Sequence, residues 1–159
     1  SIADRVPEDL VIAGKPNAEQ AAALQRAAEQ SGAGDRVHVL GFVPEGDLIN
    51  LYRAATAHVL PTLYEGFGMT AVEAMACACP VVTLRASCVP EICGEAAVYH
   101  EPGDWKGYAE SLVRVSQDQD YRAGLVSLGL ARAASFTWKR AAEATLDVYR
   151  RTLGEREGP

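Results

Sequence analysis

Short apolar runs alternate with longer stretches of mixed polarity along the first two-thirds of the chain. Each run covers four to six residues, and several end in glycine or proline, which is typical of buried parallel strands. The runs predict strands over residues 10–14, 37–42, 57–60, 81–84 and 96–99.

The stretches between the runs have high helix propensity or apolar positions three to four residues apart, and they predict helices. These helices cover residues 18–30, 44–55 and 70–78, with one further turn that begins at Pro90. Three more, over 104–115, 120–134 and 137–153, close the chain without a strand between them. Alternating strands and helices predict an α/β fold, with a parallel sheet flanked by helices.

Composition sets the domain count and excludes two classes of partner. The 159 residues are 48% hydrophobic and 23% charged, which predicts one globular domain over residues 1–153 and a flexible tail over 154–159. The net charge of −6 is opposite to the basic surface that binds nucleic acid. No apolar run approaches the roughly 20 residues that span a bilayer, so we expect no transmembrane segment.

The cysteines and histidines do not form a metal motif. Four cysteines lie between Cys77 and Cys93, but Cys77-Ala-Cys79 lacks the spacing of a zinc ribbon and no histidine lies within the cluster. We expect buried thiols in a reducing cytoplasm. Three isolated histidines on predicted strands are expected to be structural and hydrogen-bonded; they are His38, His58 and His100.

The loop after the third predicted strand carries the candidate chemistry. Ligands of open α/β sheets bind beyond the carboxyl ends of the strands. In this loop Gly66 and Gly68 precede a predicted helix directly, so the backbone can approach a ligand closely. The first N–H groups of a helix are unpaired and favour an anion such as phosphate.

Two glutamates flank the glycines, and spacing alone leaves two interpretations of each. Glu65 either faces the ligand or complements the dipole of the following helix. Glu73 either accepts hydrogen bonds from ribose hydroxyls or closes a capping box with Thr70. At the end of the next strand, Arg85 either reaches a diphosphate or is simply solvated.

The residues around this loop carry a more specific pattern. Glu65-Gly-Phe-Gly-Met-Thr-Ala-Val-Glu73, leading to Pro80-Val-Val, resembles the Glu-x7-Glu signature of family 4 (group 1) retaining glycosyltransferases. Stretches at 40–44, 60–62, 89–92 and 135–138 match other parts of that family in the same order. The resemblance extends from about Leu10 to Leu153.

The resemblance implies a GT-B enzyme built from two facing Rossmann-like halves. This chain is then the C-terminal, donor-binding half, without the first strand of that half and without the acceptor-binding N-terminal domain. We therefore expect the chain alone to be inactive. The resemblance implies that no bound metal and no cofactor are required. The implied donor substrate is a nucleotide-diphosphate sugar.

Residue roles follow from the same resemblance. Glu65 is the catalytic carboxylate beside the donor sugar, and Glu73 takes the ribose hydroxyls. Glycine-loop amides hold the diphosphate and sugar, and the loop at Phe42 packs against the base. The donor-binding positions are Gly66, Phe67, Gly68, Met69, Thr70, Glu73, Phe42, Val43 and Pro44.

The resemblance also bears on donor, acceptor and location. Residues 63–68 and 136–140 are most similar to mannosyltransferase-type members, which favours GDP-mannose, while UDP-glucose and UDP-N-acetylglucosamine stay open. The implied acceptor is a glycan or lipid-linked sugar, which the N-terminal domain binds. The implied location of the full-length enzyme is the cytoplasm, with possible association at the inner membrane surface. A non-catalytic module that binds a nucleotide or nucleotide sugar is the alternative.

Overall fold

The structure is a computed structural model that describes residues 2–154. The described part contains five strands and seven α-helices, which alternate as far as the fifth strand and then end in three helices. The elements are β1 (Leu10–Ala13), α1 (Ala18–Gln30), β2 (Val37–Gly41), α2 (Glu45–Ala54), β3 (His58–Leu60), α3 (Met69–Ala76), β4 (Val81–Leu84), α4 (Val89–Cys93), β5 (Ala97–His100), α5 (Trp105–Gln117), α6 (Gln119–Ala133) and α7 (Trp138–Leu153).

The helix that follows the glycine loop differs from its prediction at both ends. It begins at Met69 rather than at Thr70, because Gly68 takes a left-handed conformation with φ +86° immediately before it. It ends at Ala76, and Ala78 with φ +62° turns the chain away from a helical path. A left-handed residue just beyond the last turn is a common way for a helix to end.

All strand pairs are parallel, which confirms the predicted α/β class, but the strands form two sheets. β4 lies between β3 and β5 in one sheet, while β1 and β2 form a separate pair. Within residues 2–154, β1 and β2 pair only with each other. The carboxyl ends of β3 and β4 therefore lie side by side, which places the loops that follow them next to each other.

The core is concentrated around β4 and α3. Every residue of β4 from Val81 to Leu84 is fully buried, and burial of each apolar side chain contributes roughly 1.5–3 kcal/mol. α3 packs against α6, where the side chain of buried Met75 lies over Gly129. The helix that follows the glycine loop is thus attached firmly to the centre of the domain.

Polar contacts join the segment before β1 to the residues before β3 and to α5. The Glu8 carboxylate, just before β1, accepts hydrogen bonds from Thr56 Oγ1 at 3.0 Å and from Ser116 Oγ at 2.7 Å. Arg5 donates to Glu110 of α5 with two nitrogens, at 2.7 and 2.8 Å. These contacts place the start of β1 near the start of β3.

The last helix has no buried residue. Trp138 is 88% exposed, and Tyr149 is also exposed. The helical spacing of these aromatic residues favours packing within the domain, and the structure does not place them there. Gly154 ends the helix with φ +76°. The rest of the predicted tail, residues 155–159, lies outside the described residues.

Candidate functional site: the glycine loop at the start of α3

The backbone of the glycine loop presents unpaired donors at the start of α3. The Gly68 carbonyl accepts hydrogen bonds from the N–H groups of Ala71 and Val72. The amides of Met69 and Thr70 have no acceptor within residues 2–154. Met69 and Thr70 are both exposed, and unpaired N–H groups at a helix N-terminus are of the kind that favours an anion.

The structure excludes one of the two interpretations of Glu73, the capping box. Gly68 is the residue that caps α3 and no side chain caps this helix, so Thr70 lies inside the first turn. The capping-box interpretation of Thr70 and Glu73 is therefore wrong. Instead, the hydroxyl of Tyr52 donates to Glu73 Oε2 over 3.5 Å, which leaves the other carboxylate oxygen available to a ligand.

Tyr52 reaches Glu73 from the buried face of α2. It is only 8% exposed, and its ring meets that of His58 edge to face, with the centroids 5.5 Å apart. Burial and then the Glu73 carboxylate raise the pKa of Tyr52 to about 12. Tyr52 therefore keeps its proton at neutral pH and acts as a fixed donor to Glu73.

Glu65 is held through its backbone rather than through its side chain. Its carbonyl accepts hydrogen bonds from Ser87 Oγ at 2.9 Å and from Cys88 Sγ at 3.1 Å. The side chain of Glu65 is half-buried, and no ion pair involves it within the described chain. Ser87 and Cys88 were not among the predicted site residues, because no local pattern shows which distant carbonyl they contact.

An aromatic contact connects the loop to the segment between α6 and α7. The rings of Phe67 and Phe136 meet edge to face, with centroids 5.7 Å apart. The Arg132 guanidinium lies 4.9 Å from the centroid of Phe136, and it also donates to the carbonyls of Ile92 and Glu91. Phe67 is still 39% exposed, so it both packs inward and borders the open face of the loop.

The predicted base-side residues lie on a different connection, between β2 and α2. Phe42 is 79% exposed, Val43 is half-buried, and Pro44 is the residue before α2. Within residues 2–154 no hydrogen bond or ring contact joins them to the glycine loop. Their link to the site is indirect, because α2 also carries Tyr52, the partner of Glu73.

Two of the three histidines have the structural role that we predicted. His38 Nε2 lies 2.9 Å from Asp9, and His100 Nε2 lies 2.8 Å from Ser111 Oγ. His58 differs, because its buried Nε2 has no hydrogen-bond partner in the described structure. Burial lowers the pKa of His58 to about 4, so this ring is neutral at physiological pH.

Arg85 does not contact the glycine loop. It lies 3.4 Å from Glu101 and stacks over the ring of Tyr99, 4.8 Å from its centroid. The contacts of Arg85 within this domain are thus made with β5 and the turn after it.

The thiols divide into two kinds. Cys79 and Cys93 are buried, as predicted, and burial raises the pKa of their thiols to about 12 and about 11. Cys77 and Cys88 are only half-buried, so the prediction is wrong for them. In the described residues, no group of three or more His, Cys, Asp or Glu side chains is arranged to hold a metal ion.

Fold and loop together define a class of protein. Parallel strands flanked by helices, with an unpaired helix N-terminus at the carboxyl edge, form a Rossmann-like domain suited to a phosphorylated ligand. The profile of the family "Glycosyl transferases group 1" matches residues 4–129. The chain belongs to this family.

Curated relatives support the assignment and show how much of them this chain covers. It is 36% identical over 114 residues to O-antigen chain mannosyltransferase B of Escherichia coli, covering 72% of this chain and 30% of that protein. It is 35% identical to D-inositol 3-phosphate glycosyltransferase of Saccharomonospora viridis, covering 94% of this chain and 36% of that protein. The chain thus spans about a third of the length of these relatives.

Solved structures of GT-B glycosyltransferases share the fold. Sucrose-phosphate synthase from Thermosynechococcus elongatus superposes with a TM-score of 0.81 at 26% identity, over 93% of this chain and 39% of that chain. HepE of Anabaena, solved in complex with UDP-glucose, superposes with a TM-score of 0.73 at 24% identity, over 80% of this chain and 36% of that chain.

No helix within residues 2–154 combines the length and apolarity needed to cross a membrane.

Proposed function

We propose that this chain is the donor-binding half of a longer retaining glycosyltransferase that uses a nucleotide-diphosphate sugar. One observation carries the proposal: the unpaired amides of Met69 and Thr70 open at a helix N-terminus, between Glu65 and Glu73. Membership of the group 1 family supports the transferase activity. The chain alone is expected to be inactive, because the acceptor is then bound by another part of the protein.

Each group of the loop has a role in this proposal. Loss of the nucleoside diphosphate places negative charge on phosphate oxygens, which preorganised N–H groups stabilise. The diphosphate and sugar therefore lie against the backbone of residues 66–70. Glu65 orients the sugar and stabilises positive charge at its anomeric carbon.

The nucleoside occupies the other end of the site. Glu73, held by Tyr52, takes the ribose hydroxyls with its remaining oxygen. The base packs at Phe42, Val43 and Pro44, where the high exposure of Phe42 leaves an apolar ring available. The reaction needs no metal in this proposal, because backbone dipoles and the helix N-terminus compensate the diphosphate charge.

Retention of configuration is proposed through attack on the face from which the diphosphate leaves. Retaining glycosidases that use a double displacement carry two carboxyl groups about 5–5.5 Å apart. Glu65 is the single carboxylate in the loop, and Glu73 is assigned to the ribose. GDP-mannose is the proposed donor and a glycan or lipid-linked sugar the proposed acceptor, which the similarity to an O-antigen mannosyltransferase supports.

The test uses the full-length protein that carries this domain. Calorimetry with GDP and UDP measures base preference, and transfer from GDP-mannose or UDP-glucose measures activity. Glu65→Ala and Glu65→Gln should lower transfer by at least about 100-fold with an unchanged melting temperature. Glu95→Ala, on an exposed residue outside the loop, is the matched control.

The outcomes separate enzyme from binding module. Transfer that survives Glu65→Ala would remove the proposed role of Glu65. Tight nucleotide binding by the wild type without transfer to any glycan acceptor would favour a non-catalytic module. Tighter binding of UDP than of GDP would replace GDP-mannose by a uridine donor.

A further inference from the structure

The loop between β4 and α4 holds the backbone of the glycine loop at one atom. Ser87 Oγ and Cys88 Sγ both donate to the carbonyl oxygen of Glu65, at 2.9 and 3.1 Å. A carbonyl fixed by two donors fixes the plane of its peptide group. The direction of the Glu65 side chain and of the next amide, at Gly66, depends on that plane.

Ser87 is held in a conformation that serine seldom adopts. Its φ is +52°, in the left-handed region that favours glycine. Such a conformation persists when the surroundings determine it, and it is common where geometry matters for function. Among residues 2–154 the other non-glycine residue with a left-handed φ is Ala78, at the end of α3, where it follows the last helical turn.

The core anchors Cys88, the second donor. It precedes α4, whose residues Val89, Ile92 and Cys93 are buried. The half-buried Cys88 side chain packs against the same core cluster that contains Met75 of α3. Cys88 therefore connects the Glu65 carbonyl to the buried centre of the domain.

We propose that Ser87 and Cys88 are positioning residues that orient Glu65 and the Gly66 amide toward the donor sugar. This inference rests on the proposed function, which places Glu65 beside that sugar. Neither residue touches substrate in this proposal; both act through the Glu65 carbonyl. We call the pair the Glu65 clasp.

The Glu65 clasp acts at the sugar end of the donor, and this position predicts which kinetic constant it controls. Glu73 is held separately by Tyr52 of α2, so the nucleoside end of the site keeps its contacts when the clasp is lost. A misplaced reacting group lowers the rate of chemistry more than it lowers affinity. Loss of the clasp should therefore reduce kcat and leave nucleotide binding nearly unchanged.

Ser87→Gly in the full-length protein tests this directly. Glycine accepts the left-handed φ without strain, so the variant removes the hydroxyl donor without adding strain to the loop. We expect kcat to fall about tenfold, while the Kd for the nucleoside diphosphate stays within about twofold and the melting temperature does not fall. Ala78→Gly, which relieves a similar φ away from the loop, should leave kcat unchanged.

A second pair tests Cys88 without relying on Ser87. Cys88→Ser keeps a donor of similar size, whereas Cys88→Ala removes it. We expect kcat near the wild-type value for serine and a severalfold loss for alanine, with equal Kd for the nucleotide. Equal kcat in the two variants would overturn the role of Cys88.

The results distinguish this inference from the function on which it rests. A wild type that binds no nucleotide and transfers no sugar would overturn the proposed function, and the inference with it. An active wild type with unchanged kcat in Ser87→Gly would overturn the role of Ser87 alone. Equal losses in kcat and in nucleotide affinity would also overturn it, because a general loosening of the domain would then explain the effect.

Discussion

The hydroxyl of Tyr52 lies 3.5 Å from Oε2 of Glu73 and donates to it, from a side chain that is almost completely buried. The contact joins α2, the helix after the predicted base-side loop, to α3, the helix after the glycine loop. It gives Glu73 a fixed direction, which a carboxylate needs if it is to bind two adjacent ribose hydroxyls.

Replacing Tyr52 by phenylalanine removes this donor while keeping the ring. We expect the Kd for the preferred nucleoside diphosphate to rise about fivefold, because a typical net hydrogen bond is worth about 1 kcal/mol. The loss should be much smaller for the 2′-deoxy nucleotide, since Glu73 then has fewer partners. Calorimetry with both nucleotides on both proteins gives the coupling energy.

Tyr99→Phe is the matched control for that measurement. The Tyr99 hydroxyl donates to the Gly94 carbonyl at 2.7 Å, away from Glu73. Its loss should affect stability but not the discrimination between ribose and deoxyribose. A Tyr52→Phe protein that discriminates between the two nucleotides as the wild type does would contradict the ribose-orienting role of Tyr52.

His58 should make the folded protein sensitive to mild acid. Burial lowers its pKa from 6.5 to about 4, so the folded state binds the proton less readily than the unfolded chain. The free energy of unfolding therefore has its full value above the pKa of His58 in the unfolded chain. It falls as the pH drops from about 7 toward 4, and the loss at pH 5 is roughly 2 kcal/mol. Urea unfolding at pH 7.5 and pH 5 measures the difference.

His58→Phe removes the titrating group and retains an aromatic ring beside Tyr52. We expect this variant to lose most of the stability change between pH 7.5 and 5. His38→Phe, at an exposed position, is the comparison. An identical pH dependence in wild type and His58→Phe would show that other groups cause it.

Gly129 should resist a side chain because α6 lies close to α3 there. A Cβ at Gly129 would lie 3.3 Å from Cγ of the buried Met75, whereas a Cβ at Gly124 of the same helix meets nothing within 4 Å. Both Gly→Ala changes gain about 1 kcal/mol of helix propensity. Overpacking costs about 1–3 kcal/mol, so Gly124→Ala should be stabilising and Gly129→Ala should not.

Urea unfolding of the two variants checks this packing. Because α3 carries Glu73 and the unpaired amides, any shift of α3 in Gly129→Ala should also weaken nucleotide binding. Equal stabilisation by the two substitutions would mean that Met75 moves aside freely.

Removal of divalent metal should leave sugar transfer unchanged. The proposed compensation of the diphosphate charge comes from the amides of Met69 and Thr70 and from the dipole of α3. Transfer is measured with EDTA present and again after addition of Mg²⁺ or Mn²⁺. A rate that falls with EDTA and recovers with the metal would contradict this part of the proposal.

The sequence by itself determined the order of elements, the parallel α/β class and the place of the glycine loop. These features depend on local patterns. Hydrophobic period separates strand from helix, and glycines before a helix mark a position where the backbone is accessible. The prediction for α1, residues 18–30, agrees with the structure at both ends, because the residues that start and stop this helix lie directly beside its ends in the sequence.

Only the tertiary structure decided how the two glutamates are held. The left-handed Gly68 places the start of α3 one residue earlier than predicted and excludes the capping-box interpretation of Glu73. Tyr52 is the partner of the Glu73 carboxylate. Ser87 and Cys88 are the partners of the Glu65 carbonyl. The division of the strands into two sheets and the unpartnered His58 were likewise absent from the sequence patterns. These features depend on residues far apart in the chain, which become neighbours only when parallel strands align their carboxyl ends and the helices pack beside them.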